Sequence, residues 1–203
     1  MESADPASDG SITVVSGLPR SGTSLMMQML EAAGMPILRD DERMPDPSNP
    51  SGYYELAAVK STARDPSWVA RAPGHAVKVI HALIPLLPRD RSYRVILMLR
   101  NLREVIASQA QMLEARGRAP GSLSEARLTE IFAAQLEETR QTLDGDACFE
   151  WMEVQHADLI RDARSVARKV SRFLGLTGSA TSTPVEAMTA VVDSSLYRVR
   201  KPT

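Results

Sequence analysis

The stretch Ile12-Thr13-Val14-Val15-Ser16-Gly17-Leu18-Pro19-Arg20-Ser21-Gly22-Thr23-Ser24 limits the possible folds more than any other part of the chain. Ile12 to Val15 is a short apolar run rich in β-branched residues and bounded by Gly17, the pattern of a buried strand. From about Ser21 to Ala33, residues Leu25, Met26, Met29, Leu30 and Ala33 recur at helical spacing, and Met27 widens the apolar face. Gly17 and Gly22 are spaced as in a phosphate-binding loop. There, glycine lets the backbone bend until successive N–H groups converge on an anion, and the helix N-terminus adds its positive end. A nucleoside-triphosphatase loop places lysine directly after the second glycine; this chain has Thr23 and then Ser24. The cation sits inside the loop instead, as Arg20. Such a loop suits a compact anion held by N–H groups, hydroxyls and one guanidinium, with no need of a metal. The same residues also fit an ordinary strand-to-helix turn with Ser21 as its N-cap.

The remaining periodicity alternates strand with helix. Ala76 to Ile80, Arg94 to Leu99 and Cys148 to Val154 read as strands. Tyr54 to Ala63, Leu102 to Gly117, Ser124 to Leu143, Ala157 to Leu174 and Val185 to Val192 read as helices. Gln109 is the one polar residue on the apolar stripe of the second of these helices. Pro36, Pro45, Pro47 and Pro50 fall in residues 36–53 beside several acids and Gly52, which predicts an exposed loop. Residues 118–122 form a second loop. Strands alternating with helices predict an α/β fold, a single domain with a mostly parallel central sheet flanked by helices. Residues 1–10 are small, polar and acidic and predict a disordered leader, leaving 11–203 as the domain.

Composition narrows the function. The chain has 203 residues, with 24 basic and 25 acidic side chains, so a broad electrostatic grip on nucleic acid or an anionic membrane is not expected. Four of the basic residues are lysines, Lys60, Lys78, Lys169 and Lys201; the rest are arginines, which suit two-pronged gripping of phosphate or sulfate. The single cysteine, Cys148, excludes an intrachain disulfide framework and a cysteine-based zinc site. No apolar run reaches the ~20 residues of a membrane span, and the N-terminus lacks a secretory layout, which points to a cytoplasmic protein.

A second segment follows the strand RVILML. Arg100 stands at the strand's C-terminal end, where open α/β sheets bind ligands, and Ser108 lies about two helical turns further on. Together, GLPRSGTS after one strand and Arg100 with Ser108 after another resemble the two signatures of the PAPS-dependent sulfotransferases (PAPS, 3′-phosphoadenosine 5′-phosphosulfate). The resemblance implies a P-loop fold and transfer of a sulfuryl group from PAPS to an acceptor hydroxyl or amine. The product nucleotide would be PAP (adenosine 3′,5′-bisphosphate). It implies that Arg20, Ser21, Gly22, Thr23 and Ser24 wrap the 5′-phosphate, with Arg20 near the sulfuryl group, and that Arg100 and Ser108 grip the 3′-phosphate. Two departures stand out. Leu102 replaces the family's usual proline, and Pro202 follows Lys201 of the tail SLYRVRK where many members have a basic-basic-glycine element. Arg198, Arg200 or Lys201 are candidates for further contacts to the 3′-phosphate.

Sulfuryl transfer needs both ends placed, the leaving charge neutralised and the acceptor's proton removed. Arg20 and Lys78 are the candidate cations. Two residues compete as base. Many family members carry Lys-x-His past the second strand; this chain has Lys78-Val79-Ile80-His81, one residue longer, so His81 is displaced. Glu55, in Ser-Gly-Tyr-Tyr-Glu, resembles the glutamate of tyrosyl-protein and glycosaminoglycan-type members. The acceptor, a small molecule or a glycan or peptide, is left open. Tyr53, Tyr54 and Trp68 either line its pocket or pack in the core. The chain is shorter than most of the family, so the pocket is open, shaped by residues 36–53, or completed by a second subunit in a homodimer. Two other functions compete with this one: a P-loop kinase of small molecules, and a non-catalytic PAP-binding protein.

Overall fold

A computed structural model describes residues 10–40, 52–115, 117, 121–177 and 183–193. The leader expected over 1–10, except Gly10, the middle of the proline-rich segment and the tail with Arg198, Arg200 and Lys201 lie outside the described residues. Four strands, β1 (Ile12–Gly17), β2 (Ala76–Lys78), β3 (Tyr93–Leu99) and β4 (Phe149–Gln155), form one all-parallel sheet in the order β2-β1-β3-β4. The register aligns Val14 with Val77 on one side and Val95 on the other, and Val95 with Trp151. β1 and β3 occupy the centre and are covered on both faces, which is why they read as near-continuous apolar runs. The open side of β2 is closed by chain, with Ala76 N–H donating to Pro36 O at 2.8 Å and Leu38 N–H to Ala76 O at 2.9 Å.

Alternation along the strands sorts the core into two layers. Ile12, Val14, Tyr93, Val95 and Leu97 pack against α2 (Leu102–Ala115), α3 (Glu125–Gly145) and short 3-10 turns at Ala57–Ser61, Ser67–Arg71 and His81–Leu86. Val15, Ile96, Met98 and Val154 pack against α1 (Thr23–Ala32), α4 (His156–Arg161), α5 (Ala163–Leu174) and α6 (Pro184–Ala190). The α/β architecture with a parallel sheet is the one the alternation predicts. No helix among the described residues is long and apolar enough to cross a membrane.

Two local expectations differ from the structure. The helix expected over 54–63 is only the turn Ala57–Ser61, because Tyr54 holds a φ of 54° that no right-handed helix accepts and Asp40 Oδ2 takes the Ala57 N–H at 2.5 Å. The helix expected over 157–174 is two, broken at Asp162, whose side chain accepts from Ser165 N–H at 2.9 Å and so caps α5. α5 does end at Gly175, in the left-handed region at φ 68°. Trp68 belongs to the core, its Nε1–H donating to Thr62 Oγ1 at 3.0 Å.

The topology positions the site. From β1 the chain moves outward to β2, then crosses back to β3 on the other side of β1, so strand order reverses between β1 and β3. At such a point the loops leaving the two strand ends diverge and open a crevice. The loop carrying Arg20 follows β1, and Arg100 follows β3.

Candidate functional site

The loop after β1 needs its glycines. Gly17 has φ 146°, and a Cβ there would lie 2.5 Å from Met98 O, so the strand end sits against β3 with no room for a side chain. Gly22 has φ 102° and immediately precedes α1, whose N-terminus carries no side-chain cap. Ser21 is therefore not the N-cap of an ordinary turn. Its Oγ, in a residue 1% exposed, has no hydrogen-bond partner among the described residues. A buried hydroxyl without a partner is costly in a finished protein, and here it lies at an uncapped helix start. Both features fit a loop built to receive an anion.

The two sequence signatures meet in the crevice. Arg20 Nε–H donates to Ser108 Oγ at 3.0 Å, and Arg100 donates from Nη1 to the Arg20 carbonyl at 3.2 Å. Glu104, one turn along α2, accepts from Arg100 Nε–H at 2.9 Å and sets the plane of its guanidinium. Arg20 itself holds φ 77°, unusual for a residue with a side chain. Gln109 donates from Nε2 to Pro19 O at 3.1 Å, which explains the polar residue on the apolar stripe: it ties α2 to the loop. Sequence reasoning left Gln109 without a role, although that interruption was the available signal.

His156 is a second residue that sequence reasoning passed over. It opens α4 at the end of β4, and its Cδ2 would lie 2.6 Å from a Cβ on Gly22, so the imidazole is packed against the loop backbone. Burial, then the positive charge of Arg100, presses its pKa down to about 4, so it is neutral at pH 7.

Lys78 lies at the end of β2. Its Nζ donates to Ser24 Oγ at 3.1 Å and to Tyr53 O at 2.9 Å, which joins the loop after β1 to the segment carrying Glu55. Glu55 is two residues beyond that carbonyl and pairs with Lys60 at 3.4 Å. His81 is 5% exposed. Its Nδ1 lies 3.3 Å from Gly17 O and its Nε2 3.2 Å from Gln135 Oε1, beside a cleft between the 81–86 turn and α3. Both ring nitrogens thus face protein partners. Arg20, Ser108, Arg100 and the loop residues 21–24 are brought together; Lys78 and Glu55 approach from the β2 side, and His81 is turned toward α3.

A parallel sheet with a glycine-bounded loop after its first strand, an in-loop arginine in place of the P-loop lysine and a second arginine across the reversal point define an α/β protein of the P-loop type suited to an anion with two charged ends. A family model described as the sulfotransferase domain matches residues 11–201, and the chain belongs to that family. It is a sulfotransferase enzyme. Solved structures agree on the fold. A sulfotransferase domain from the curacin biosynthetic pathway is 15% identical, with 95% of this chain and 92% of that one covered at a TM-score of 0.52. A sulfotransferase from Alicyclobacillus acidocaldarius is 15% identical, with 93% and 99% covered at 0.50. A mouse sulfotransferase complexed with PAP is 14% identical, with 95% and 67% covered at 0.51. No curated protein matches the chain.

Proposed function

We propose that the chain is a cytoplasmic sulfotransferase that takes its sulfuryl group from PAPS and releases PAP. The observation carrying this reading is the meeting of Arg20, Ser108 and Arg100 at the β1/β3 reversal, with contacts of 3.0 and 3.2 Å. Cations from two strand ends in one crevice suit a nucleotide charged at both its 5′ and 3′ positions. The PAP complex of a mouse protein of the same fold supports it. Residues 20–24 hold the 5′-phosphosulfate end; Arg100 and Ser108 hold the 3′-phosphate. As the acceptor oxygen or nitrogen bonds to sulfur, the bond from sulfur to the bridging 5′-phosphate oxygen breaks. Arg20 and Lys78 neutralise the charge that collects on that oxygen. Residues 11–203 act as one domain in this reading.

The acceptor's proton passes to Glu55 in our reading. Glu55 lies on the segment that touches Lys78, whereas both nitrogens of His81 are engaged with Gly17 and Gln135. The test has two stages. Thermal-shift titration is expected to rank PAP far above AMP and Mg-ATP; an equal response to AMP, or a preference for Mg-ATP, overturns the donor assignment. With an acceptor found from a panel of alcohols, amines, glycans and tyrosyl peptides, Glu55→Gln is expected to lower kcat by about 100-fold or more, the usual size of general-base catalysis. His81→Gln is expected to cost far less, and the reverse order would make His81 the base. PAP binding without turnover on any acceptor would favour a non-catalytic PAP-binding protein.

A further inference from the structure

Among the described residues two non-glycine residues hold a left-handed φ, Arg20 at 77° and Tyr54 at 54°. A β-carbon disfavours that conformation, which persists only where the surroundings over-determine it, commonly near functional groups. Arg20 lies in the donor loop. Tyr54 is distant in sequence, yet the peptide unit joining it to Tyr53 carries the carbonyl that accepts from Lys78 Nζ at 2.9 Å. Rotation about φ of Tyr54 turns that peptide plane. A relaxed φ would therefore swing the Tyr53 carbonyl away from the ammonium.

Side chains on α1 and the 36–40 segment hold the conformation. The Tyr54 hydroxyl donates to Glu31 Oε2 at 2.5 Å, Arg39 pairs with Glu31 at 3.3 Å, and the Arg39 guanidinium lies 4.6 Å above the Tyr54 ring. Burial, then the Glu31 carboxylate, raises the phenol's pKa, so it stays a donor through the neutral range. Glu31 sits near the end of α1, and Ser24, which also accepts from Lys78, sits in its first turn. One helix thus carries both ends of a bracket around Lys78. Ser24 Oγ and Tyr53 O are neutral oxygens that orient the ammonium.

We infer that Tyr54 is a positioning residue for Lys78: its phenol, clamped by Glu31 and Arg39, holds the Tyr53–Tyr54 peptide in the conformation that presents the Tyr53 carbonyl to the ammonium. The functional weight of this inference rests on the reading of Lys78 as a cation of the transfer step. The placement of Lys78 is testable without turnover, because the chain has only four lysines. Reductive methylation with 13C-formaldehyde gives each an NMR signal, and Lys78 is assigned by its loss in Lys78→Arg.

In Tyr54→Phe, which keeps the ring, Lys78 is expected to be methylated about threefold faster or more, with Lys60, Lys169 and Lys201 unchanged. Glu31→Gln, which retains an acceptor oxygen, is expected to fall between Tyr54→Phe and wild type. An unchanged Lys78 rate in Tyr54→Phe overturns the inference, and so does a parallel rise at all four lysines, which would mean general loosening. Where the wild type transfers sulfuryl groups, Tyr54→Phe is expected to lower kcat about threefold or more while leaving the donor KM within about twofold. It should add nothing in a Lys78→Ala background; equal losses in both backgrounds overturn the inference. A wild type that neither binds PAP nor transfers refutes the donor reading instead, and the methylation rates still decide whether Tyr54 places Lys78.

Discussion

The crevice between β1 and β3 and the stem beside β2 deliver cations to neighbouring ground by different means. The crevice is built from two contiguous pieces of sequence, residues 17–24 and 100–109, each launched from a central strand whose register leaves little freedom. The stem is assembled from residues 31, 39, 53–55 and 78, which lie on four separate pieces of chain and meet through side chains. Motif-like sites can be read from spacing, whereas sites assembled by tertiary contact cannot.

The sharpest test of this contrast is Arg20→Gly. It removes the guanidinium but suits the left-handed φ of 77°, so stability is expected to stay within about 1 kcal/mol of wild type. Transfer should lose ~3 kcal/mol of transition-state stabilisation, roughly a hundredfold or more in kcat/KM. Wild-type turnover in Arg20→Gly would remove the donor loop from the chemistry.

The next effect is acid sensitivity of the crevice side. His156 has a folded pKa near 4 against 6.5 for the unfolded group, so the unfolded chain binds more protons between those values. The stability this group contributes is complete above pH 6.5 and falls as pH drops toward 4, by on the order of 3 kcal/mol. Urea denaturation across that range should show the slope, and His156→Leu should flatten it. An identical slope in both proteins would place the acid-labile group elsewhere.

Arg100→Ala is expected to cost about 2 kcal/mol of PAP affinity and almost none for AMP, the size of a charge-assisted hydrogen-bond loss. Calorimetry with the two nucleotides reads this directly, and an equal loss for both would assign Arg100 to loop support through the Arg20 carbonyl alone. The smallest effect belongs to Gln109→Leu. Its side-chain hydrogen bond to Pro19 O is worth about 1 kcal/mol, seen as a modest drop in melting temperature together with weaker PAP binding.

Much of the fold was legible because periodicity and glycine are local signals. β1, β3 and α1 fall within a residue or two of their expected ends, and α5 ends at the expected Leu174. The failures share a cause. The 54–63 helix was lost to Tyr54, whose backbone answers to Glu31 and Arg39, and the 157–174 helix was divided by an Asp162 cap that the apolar pattern does not register. In the site, Gly17, Arg20, Gly22, Arg100 and Ser108 were visible because each stands at a set distance from a strand end. Gln109 and His156 were not, because their partners are backbone atoms of a loop far away in the chain.

The sequence by itself determined an α/β chain with a glycine-bounded loop after its first strand and a second arginine–serine pair after a later one. Apolar spacing and the conformational freedom of glycine are properties of neighbouring residues, so they survive without the fold. Only the tertiary structure decided that Arg100 would reach the Arg20 carbonyl, that Lys78 would be held between Ser24 and Tyr53, and that His81 would turn to Gln135. Those outcomes depend on strand order and on which side chains meet across the sheet's edge, and no spacing along the chain encodes the partner of a hydrogen bond that closes over dozens of residues.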